Sequence, residues 1–159
     1  MTENEKNANV TYFFARLDKL DIGDRARLKR NSGKTLEEAH EVLGLFYGLL
    51  PKGLPQYQEE FYFLVATLFP LNDGGGKGDL GASLTIARSD KNSKGLDRRV
   101  ERLLDADTVQ LNFRLRQTVH FLKSCRVKIN WPQLLEDLLL WNHPDRFIQK
   151  RWARSYFGS

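Results

Sequence analysis

Apolar residues recur along most of this 159-residue chain at the three- and four-residue spacing of amphipathic helices. Two such stripes in the second half of the chain are Leu96, Val100, Leu103 and Leu104, then Leu111, Leu115, Thr118 or Val119, and Leu122. Residues 127–129 are the only alternating apolar stretch, and they are too few for a sheet strand. The pattern predicts an all-α, single-domain bundle of about eight helices joined by short loops.

Capping residues predict where several helices begin. Asp21 or Asp24 can cap a short second helix. Thr35 and Glu38 form a capping-box pattern, from which we expect a third helix that continues to Leu50.

Four later helices are expected from composition and caps. Residues 56–69 are strongly apolar and predict a helix at the centre of the core. Asp107 is the expected N-cap of the helix that carries the apolar stripe from Leu111 to Leu122. Asn130 precedes Trp131 and Pro132, which places a proline just inside a helix start. The last helix is expected to begin at His143 and Pro144.

Two segments carry no apolar stripe. Residues 1–9 are polar and are expected to be disordered, so the folded domain spans residues 10–159 and its first helix starts near Tyr12. Residues 72–81 contain five glycines and predict a flexible loop. Lys77 in this loop does not belong to a P-loop, because Leu71 stands where the first glycine is needed and a glycine follows the lysine.

The apolar runs, the single cysteine and the three tryptophans each lead to a prediction. No apolar run is long enough to span a bilayer, and the N-terminus has no apolar signal region, so we predict a cytosolic protein without membrane contact. The single Cys125 excludes an internal disulfide and is expected to pack as a small apolar side chain. Trp131, Trp141 and Trp152 have apolar neighbours and are expected in the core.

Catalytic chemistry has no support in the residue pattern. His40, His120 and His143 lie far apart and form no metal-ligand pattern, and no Ser or Cys stands in a nucleophile motif. Glu136 and Asp137 are neighbours whose side chains point about 100° apart on a helix, so Asp137 is expected to pair with a basic residue. We predict no catalytic site, no metal and no cofactor.

Positive charge is concentrated towards the C-terminal end. Residues 112–159 carry nine Lys and Arg against three acids, a net of +6, whereas residues 1–111 carry 16 against 17, a net of −1. Together they give the +5 of the whole chain. Residues 146–159 combine four cations with four aromatics and no acid. Cations interleaved with aromatics are typical of polyanion-binding surfaces.

Four groups of cations have the spacing of a shared surface. Residues 25–34 carry five cations and no acid, and in the groups at residues 98–102, 116–123 and 146–154 the cations repeat on one helical face. We predict contact with nucleic-acid phosphates that ignores base sequence, because no base-reading module is present. The predicted binding residues are Arg25, Arg27, Lys29, Arg30, Arg98, Arg102, Arg116, Lys123, Arg146, Lys150 and Arg154.

Two other functions stay open. A structural helical adaptor would use the same cations to meet acidic protein surfaces. A nuclease would need clustered carboxylates and a divalent metal, and the sequence shows no such cluster.

Six stretches in this order carry a resemblance that spans roughly residues 12–157. They are residues 23–30 (GDRARLKR), 61–69 (FYFLVATLF), 97–105 (DRRVERLLD), 115–117 (LRQ), 129–141 (INWPQLLEDLLLW) and 148–154 (IQKRWAR). Together they resemble the CasB family, the small subunit of the type I-E CRISPR surveillance complex called Cascade.

The resemblance implies an all-α subunit without enzymatic activity. Two copies are expected to stack head to tail and to contact the crRNA-bearing backbone subunits and the large subunit that reads the PAM. The basic surface would line the path of target DNA and hold the displaced strand, while base pairing with crRNA reads the sequence.

The resemblance also assigns basic positions. It matches Arg27, Lys29 and Arg30, then Arg98, Arg99 and Arg102, then Arg116, then Lys150, Arg151 and Arg154, and so adds Arg99 and Arg151 to the predicted binding residues. Lys29 stands where the family often has Arg, which keeps the charge but not the bidentate phosphate geometry.

Overall fold

The computed structural model describes residues 2–72, 74–88 and 93–158. Within these ranges the chain forms nine α-helices, with 3-10 helices at Gln56–Gln58 and Phe69–Leu71, and a lone bridge between Gly74 and Ile129 is the one β-type pairing. The predicted all-α bundle is confirmed. The helices are α1 (Glu3–Asp18), α2 (Ile22–Lys29), α3 (Leu43–Leu49), α4 (Glu59–Leu68), α5 (Leu80–Ala87), α6 (Ser93–Leu104), α7 (Thr108–Ser124), α8 (Trp131–Leu139) and α9 (Phe147–Phe157).

Helix α4 lies at the centre of the core. All of its residues from 62 to 68 are buried, because a helix that is apolar on every side must be covered on every side. Helices α2, α7 and α8 pack around it, and α1 packs on α8. The ring of Phe13 from α1 meets the ring of Tyr62 edge to face, with centroids 4.9 Å apart. The predicted central helix is therefore confirmed.

Side-chain caps start the helices where the sequence placed them. The Asp21 carboxylate accepts the Asp24 N–H at 2.8 Å at the start of α2. Asp107 accepts from the N–H of Gln110 at 2.8 Å at the start of α7. Asn130 caps α8 in the same way. Both predicted apolar stripes, on α6 and α7, are buried.

The N-terminal segment differs from the expectation. Residues 3–9, expected to be disordered, form the first turns of α1, which therefore begins well before Tyr12. Thr2 Oγ1 accepts the Glu5 N–H at 3.1 Å, and the Glu5 carboxylate accepts the Thr2 N–H at 3.4 Å. This capping box satisfies free backbone amides in a segment whose polarity alone suggested disorder. That residues 10–159 form the folded domain without residues 1–9 stays a prediction.

The third predicted helix was placed too early. Thr35 and Glu38 do make the reciprocal cap bonds, from the Thr35 N–H to the carboxylate at 2.9 Å and from the Glu38 N–H to the hydroxyl at 3.4 Å. The chain nevertheless continues as turns, with Glu41 at a φ of 57°. The buried Asn31 holds this conformation by accepting the His40 N–H at 3.0 Å. Tertiary hydrogen bonds thus override a local helix signal, and α3 supplies only the last two turns.

The glycine-rich segment is anchored at its C-terminal part. The Gly76 N–H donates to the Ile129 carbonyl at 3.3 Å, and a Cβ on Gly76 would lie 2.4 Å from the Lys128 carbonyl oxygen. Leu80 and Gly81, expected in the loop, already belong to α5. The predicted flexibility of residues 72–81 stays a prediction, and residue 73 lies outside the described residues.

The three tryptophans are buried as predicted, and each indole N–H donates to a protein oxygen. The prediction for Cys125 was wrong, because its side chain is exposed. The residue follows the last turn of α7, where the chain reverses through Arg126 at a φ of 59°, and so it leaves the buried stripe. No helix in the described part of the chain has the length and apolar composition needed to cross a bilayer.

Helices α5 and α9 pack most closely through Gly81. A Cβ there would lie 2.4 Å from the Trp152 carbonyl oxygen, whereas one on Gly95 of α6 would meet nothing within 4 Å. We therefore expect Gly81→Ala to destabilise the fold by about 1–3 kcal/mol through overpacking. Gly95→Ala, the matched control, should be neutral or stabilising by up to about 1 kcal/mol. Urea unfolding of both variants measures this, and equal effects would contradict the packing.

Candidate nucleic-acid interface

The exposed side of α7 carries cations on a single face. Arg116, His120 and Lys123 follow one another at four- and three-residue spacing, so they share one side of the helix. All three are exposed, while the apolar stripe of α7 faces the core. The sequence predicted Arg116 and Lys123 for this face, and the structure adds the imidazole of His120.

The end of α2 and the turn after it lie beside this face. The Asn112 side chain of α7 donates to the Gly33 carbonyl at 3.3 Å. Gly33 has a φ of 77° and leaves room for the aliphatic part of Arg116, whose Cδ would lie 3.0 Å from a Cβ at that position. We call this the α2–α7 basic surface, and it consists of Lys29, Lys34, Arg116, His120 and Lys123.

The titration of His120 reports the charge around it. Burial lowers the pKa of the His120 imidazole, and the positive charges of Arg116 and Lys29 lower it further. Two cations from different helices therefore act on the same group, which links α2 with α7 electrostatically.

Helix α6 continues the cationic side of the molecule. The Arg99 guanidinium lies 4.9 Å from the centroid of the Phe121 ring, so this side of α6 faces α7. Asp97 lies two residues before Arg99, on nearly the opposite side of α6, about 200° away. Its carboxylate accepts the Tyr156 hydroxyl of α9 at 2.6 Å. Helix α6 thus lies between α7 and α9, and Arg98 and Arg102 are exposed on it.

Five further predicted binding residues make no side-chain hydrogen bond or ion pair within the described chain. Lys150 and Arg154 lie four residues apart on the exposed side of α9. The others are Arg30, at the end of α2, and the α6 residues Arg98 and Arg102. No residue of ranges 2–72, 74–88 and 93–158 holds these side chains in an ion pair, so their charges face solvent.

Three other predicted binding residues make hydrogen bonds within the fold, and their binding role stays a prediction. Each guanidinium donates to backbone carbonyls: Arg25 to those of Asp18 and Leu20, Arg27 to that of Glu41, and Arg146 to that of Leu104. Arg146 also adopts a left-handed conformation, with a φ of 53°, so α9 begins at residue 147 rather than at the predicted His-Pro pair. Their hydrogen bonds leave them less free to reorient towards a phosphate.

Arg151 bridges two buried carboxylates. It donates to the Asp137 carboxylate, and its Nε lies 3.6 Å from an oxygen of Asp79. The other oxygen of Asp137 accepts the Trp152 indole N–H at 2.8 Å. The predicted pairing of Asp137 with a basic residue is confirmed. The binding role that the resemblance assigned to Arg151 stays a prediction, for a side chain whose nearest partners are inside the protein.

A groove beside the α2–α7 basic surface was missed by the sequence analysis. It has a volume of about 730 Å³ and lies between the turn after α2, the start of α4 and the side of α7. Tyr57, Phe61, Val109 and Phe113 supply its apolar lining. The available signal was the phase of α7, because Val109 and Phe113 are apolar residues outside its buried stripe.

Among residues 2–72, 74–88 and 93–158, no three His, Cys, Asp or Glu side chains are placed to share a metal ion.

These features define a class of protein, namely a small all-helical protein whose cations are displayed on adjoining helices. Comparison with known families then gives the particular group. The family model described as CRISPR-associated protein Cse2 matches residues 24–157. The chain therefore belongs to the Cse2 family, for which solved structures also use the name CasB, and the resemblance found in the sequence is confirmed.

Individual relatives agree with this assignment. A CRISPR-associated protein Cse2 from Thermus thermophilus is 40% identical over 108 residues, which are 65% of this chain and 60% of that relative. The aligned part thus covers less than two thirds of the relative's length. The crystal structure of a Cse2-family protein from Thermus thermophilus is 30% identical and superposes with a TM-score of 0.80 over 100% of both chains.

A third similar structure shows the fold alone. It is a chain of a CRISPR RNA-guided surveillance complex, 22% identical, with a TM-score of 0.81 over 96% of this chain and 94% of that one.

Arg151 and its neighbour Lys150 are expected to respond differently to truncation. Arg151→Ala leaves the buried Asp137 and Asp79 without their cation and should destabilise the fold by about 2–3 kcal/mol. Lys150→Ala removes an exposed charge and should change stability by less than about 0.5 kcal/mol. Thermal and urea unfolding at neutral pH measure both, and a fully stable Arg151→Ala protein would contradict the structural role.

Proposed function

We propose that this protein is a non-catalytic subunit of a type I-E CRISPR surveillance complex, Cascade. In it the protein binds nucleic-acid backbone without sequence preference and stabilises the crRNA-guided R-loop by holding the displaced strand. Membership of the Cse2 family and the likeness in fold to chains of CRISPR RNA-guided surveillance complexes support this assignment.

The observation that carries the proposal is the α2–α7 basic surface. Its cations come from α2, from the turn after α2 and from α7, and Arg116 packs against Gly33. Fixed cations that lie close together repel one another, and the charges of Arg116 and Lys29 add to burial in lowering the pKa of His120. A phosphodiester chain relieves this repulsion and releases its own counterions, so binding is favourable without any base contact.

Helix α6 extends the proposed path. The Arg99 contact places α6 beside α7, and Tyr156 joins α6 to α9, where Lys150 and Arg154 are exposed. A strand that crosses α7, α6 and α9 would meet cations from three of the four groups. Phosphate contacts of this kind fix the position of a strand and leave the reading of sequence to crRNA pairing.

The proposed partners follow from the same assignment. They are crRNA and target DNA, the backbone subunits, the large subunit and a second copy of this chain, and the proposed location is the cytoplasm. In this role the protein supplies affinity for the displaced strand, and other subunits of the complex supply catalysis.

Paired truncation of the α2–α7 basic surface tests the proposal. We expect the full-length protein to bind single-stranded DNA with a log K that falls linearly with log salt. Lys29→Ala/Arg116→Ala should make that slope shallower by about 1.4, roughly 0.7 for each lost phosphate contact. The same double variant should shorten R-loop lifetime in the assembled complex. Lys52→Ala, an exposed lysine in the turn before α4, is the control and should bind like wild type.

Two outcomes would contradict this expectation. A wild-type protein whose binding did not change with salt would exclude a phosphate-binding role. If the wild-type protein had no affinity for free DNA and the double variant failed to assemble into the complex, the cations would instead belong to an adaptor that contacts acidic proteins.

Binding should also depend on pH through His120. Burial and the neighbouring cations Arg116 and Lys29 hold the pKa of the His120 imidazole below its usual value, and a bound polyanion offsets the cations and raises that pKa. Proton uptake then accompanies binding, so affinity should increase as the pH falls from about 7.5 to about 6. Titrations of wild type and His120→Gln measure this, with His40→Gln as the control. An equal response in wild type and His120→Gln would overturn the assignment.

A further inference from the structure

The groove beside the α2–α7 basic surface collects the most exposed aromatic side chains of the described residues. Tyr57 is 72% exposed and Phe113 is 56% exposed, and both line the groove. Val109, at 86% one of the two most exposed large aliphatic residues in the described ranges, lines it as well. Apolar surface that is gathered in one concavity, rather than scattered, marks a binding site.

Helix α7 joins the groove to the basic surface. Val109, Phe113, Arg116, His120 and Lys123 follow each other at three- or four-residue spacing along one side of the helix. The N-terminal half of this side is apolar and the C-terminal half is cationic. Arg116 belongs to both, and the axial rise from Phe113 to Arg116 is only about 4.5 Å. Apolar surface and fixed positive charge are therefore presented to the same occupant.

Charge in the groove itself is balanced, whereas charge beyond it is positive. Lys34 and Arg116 line the groove together with Glu38 and Glu60, whose carboxylates accept the backbone N–H groups of Thr35 and Leu36. Past Arg116 the same side of α7 continues with His120 and Lys123, and Lys29 of α2 acts on His120. An occupant that extends from the groove along α7 therefore meets positive charge, which favours an anionic chain.

We propose that this groove binds unpaired nucleobases of the strand whose phosphates lie on the α2–α7 basic surface. The inference rests on the proposed function and deepens it. Phe113 and Tyr57 provide planar apolar surfaces on which bases of any identity can stack, and Lys34 and Arg116 hold the phosphates on either side. Stacking does not read sequence, so the site adds affinity and selects single strands over duplex, whose bases are already stacked.

The side chain of Phe113 stays largely exposed although a cation lies near its ring. The Arg114 guanidinium lies 5.7 Å from the ring centroid, so a cation covers part of the ring while more than half of the side chain is still exposed. An apolar protein segment would cover the aromatic rings but would bring no counter-charge to Lys29 and Arg116. A single strand carries bases on one side and phosphates on the other, so its bases can lie on the apolar half of this side of α7 while its phosphates lie on the cationic half.

The test uses the full-length protein and two single-stranded probes, a dT oligonucleotide of about 20 nucleotides and an abasic oligonucleotide of the same length. Phe113→Ala and Tyr57→Ala should each weaken binding of the dT probe by roughly ten-fold, because one stacking surface is lost. Neither should change the salt slope, and neither should weaken binding of the abasic probe. Phe113→Trp should retain binding of dT. Tyr12→Ala, an exposed aromatic of α1 outside the groove, is the control.

The outcomes separate this inference from the proposed function. If wild type binds both probes with a steep salt slope but Phe113→Ala binds dT normally, the stacking site is excluded while phosphate binding stands. If Phe113→Ala binds DNA normally but no longer enters the complex, the groove belongs to a protein partner and the inference fails. If wild type binds neither probe at any salt, both proposals fail together. Circular dichroism and unfolding curves verify that each variant keeps its fold.

Discussion

The buried carboxylate of Asp137 is the interaction on which the arrangement of the C-terminal helices depends. It is 2% exposed, and an ionised group at such a depth is tolerated only with hydrogen-bond donors around it. Arg151, Trp152 and Gln133 supply them. Arg151 also reaches Asp79, whose carboxylate accepts the Ser155 hydroxyl and caps α5. One network therefore sets the positions of α8, α9 and α5, and the register of α9 decides which of its cations face outward.

That register divides the basic residues into two populations. Arg151 is turned towards the buried acids, whereas Lys150 and Arg154 of the same helix are exposed. The same division occurs on α2, where Arg25 and Arg27 hold backbone carbonyls while Lys29 and Arg30 are exposed. A high content of Lys and Arg therefore overstates the charge available to a polyanion. The exposed subset is smaller, and it lies on the adjoining helices α2, α7, α6 and α9, along the path proposed for a bound strand.

Local sequence rules predicted the elements well where nothing distant opposed them. The caps at Asp21, Asp107 and Asn130 and the stripes of α6 and α7 were correct, because capping and amphipathic spacing act within one or two turns. The rule failed at Thr35, whose cap bonds form without a helix, because Asn31 and Glu60 hold the following residues in turns. It failed at the N-terminus for the opposite reason, since Thr2 and Glu5 cap a helix in a segment judged only by its polarity.

The sequence by itself determined the helical class, the central position of α4, the excess of positive charge and the family, since all of these are written in residue type and order. It could also indicate that Asp137 would pair with a basic residue, because the adjacent carboxylates of Glu136 and Asp137 point about 100° apart on a helix and cannot act as a pair. Only the tertiary structure decided that this basic residue is Arg151. It also decided that Lys29 and Arg116 both act on His120, and that Tyr57 and Phe113 line the same groove. These facts depend on contacts between residues that lie far apart in the chain. Such contacts exist only in the folded protein, so local sequence patterns do not predict them.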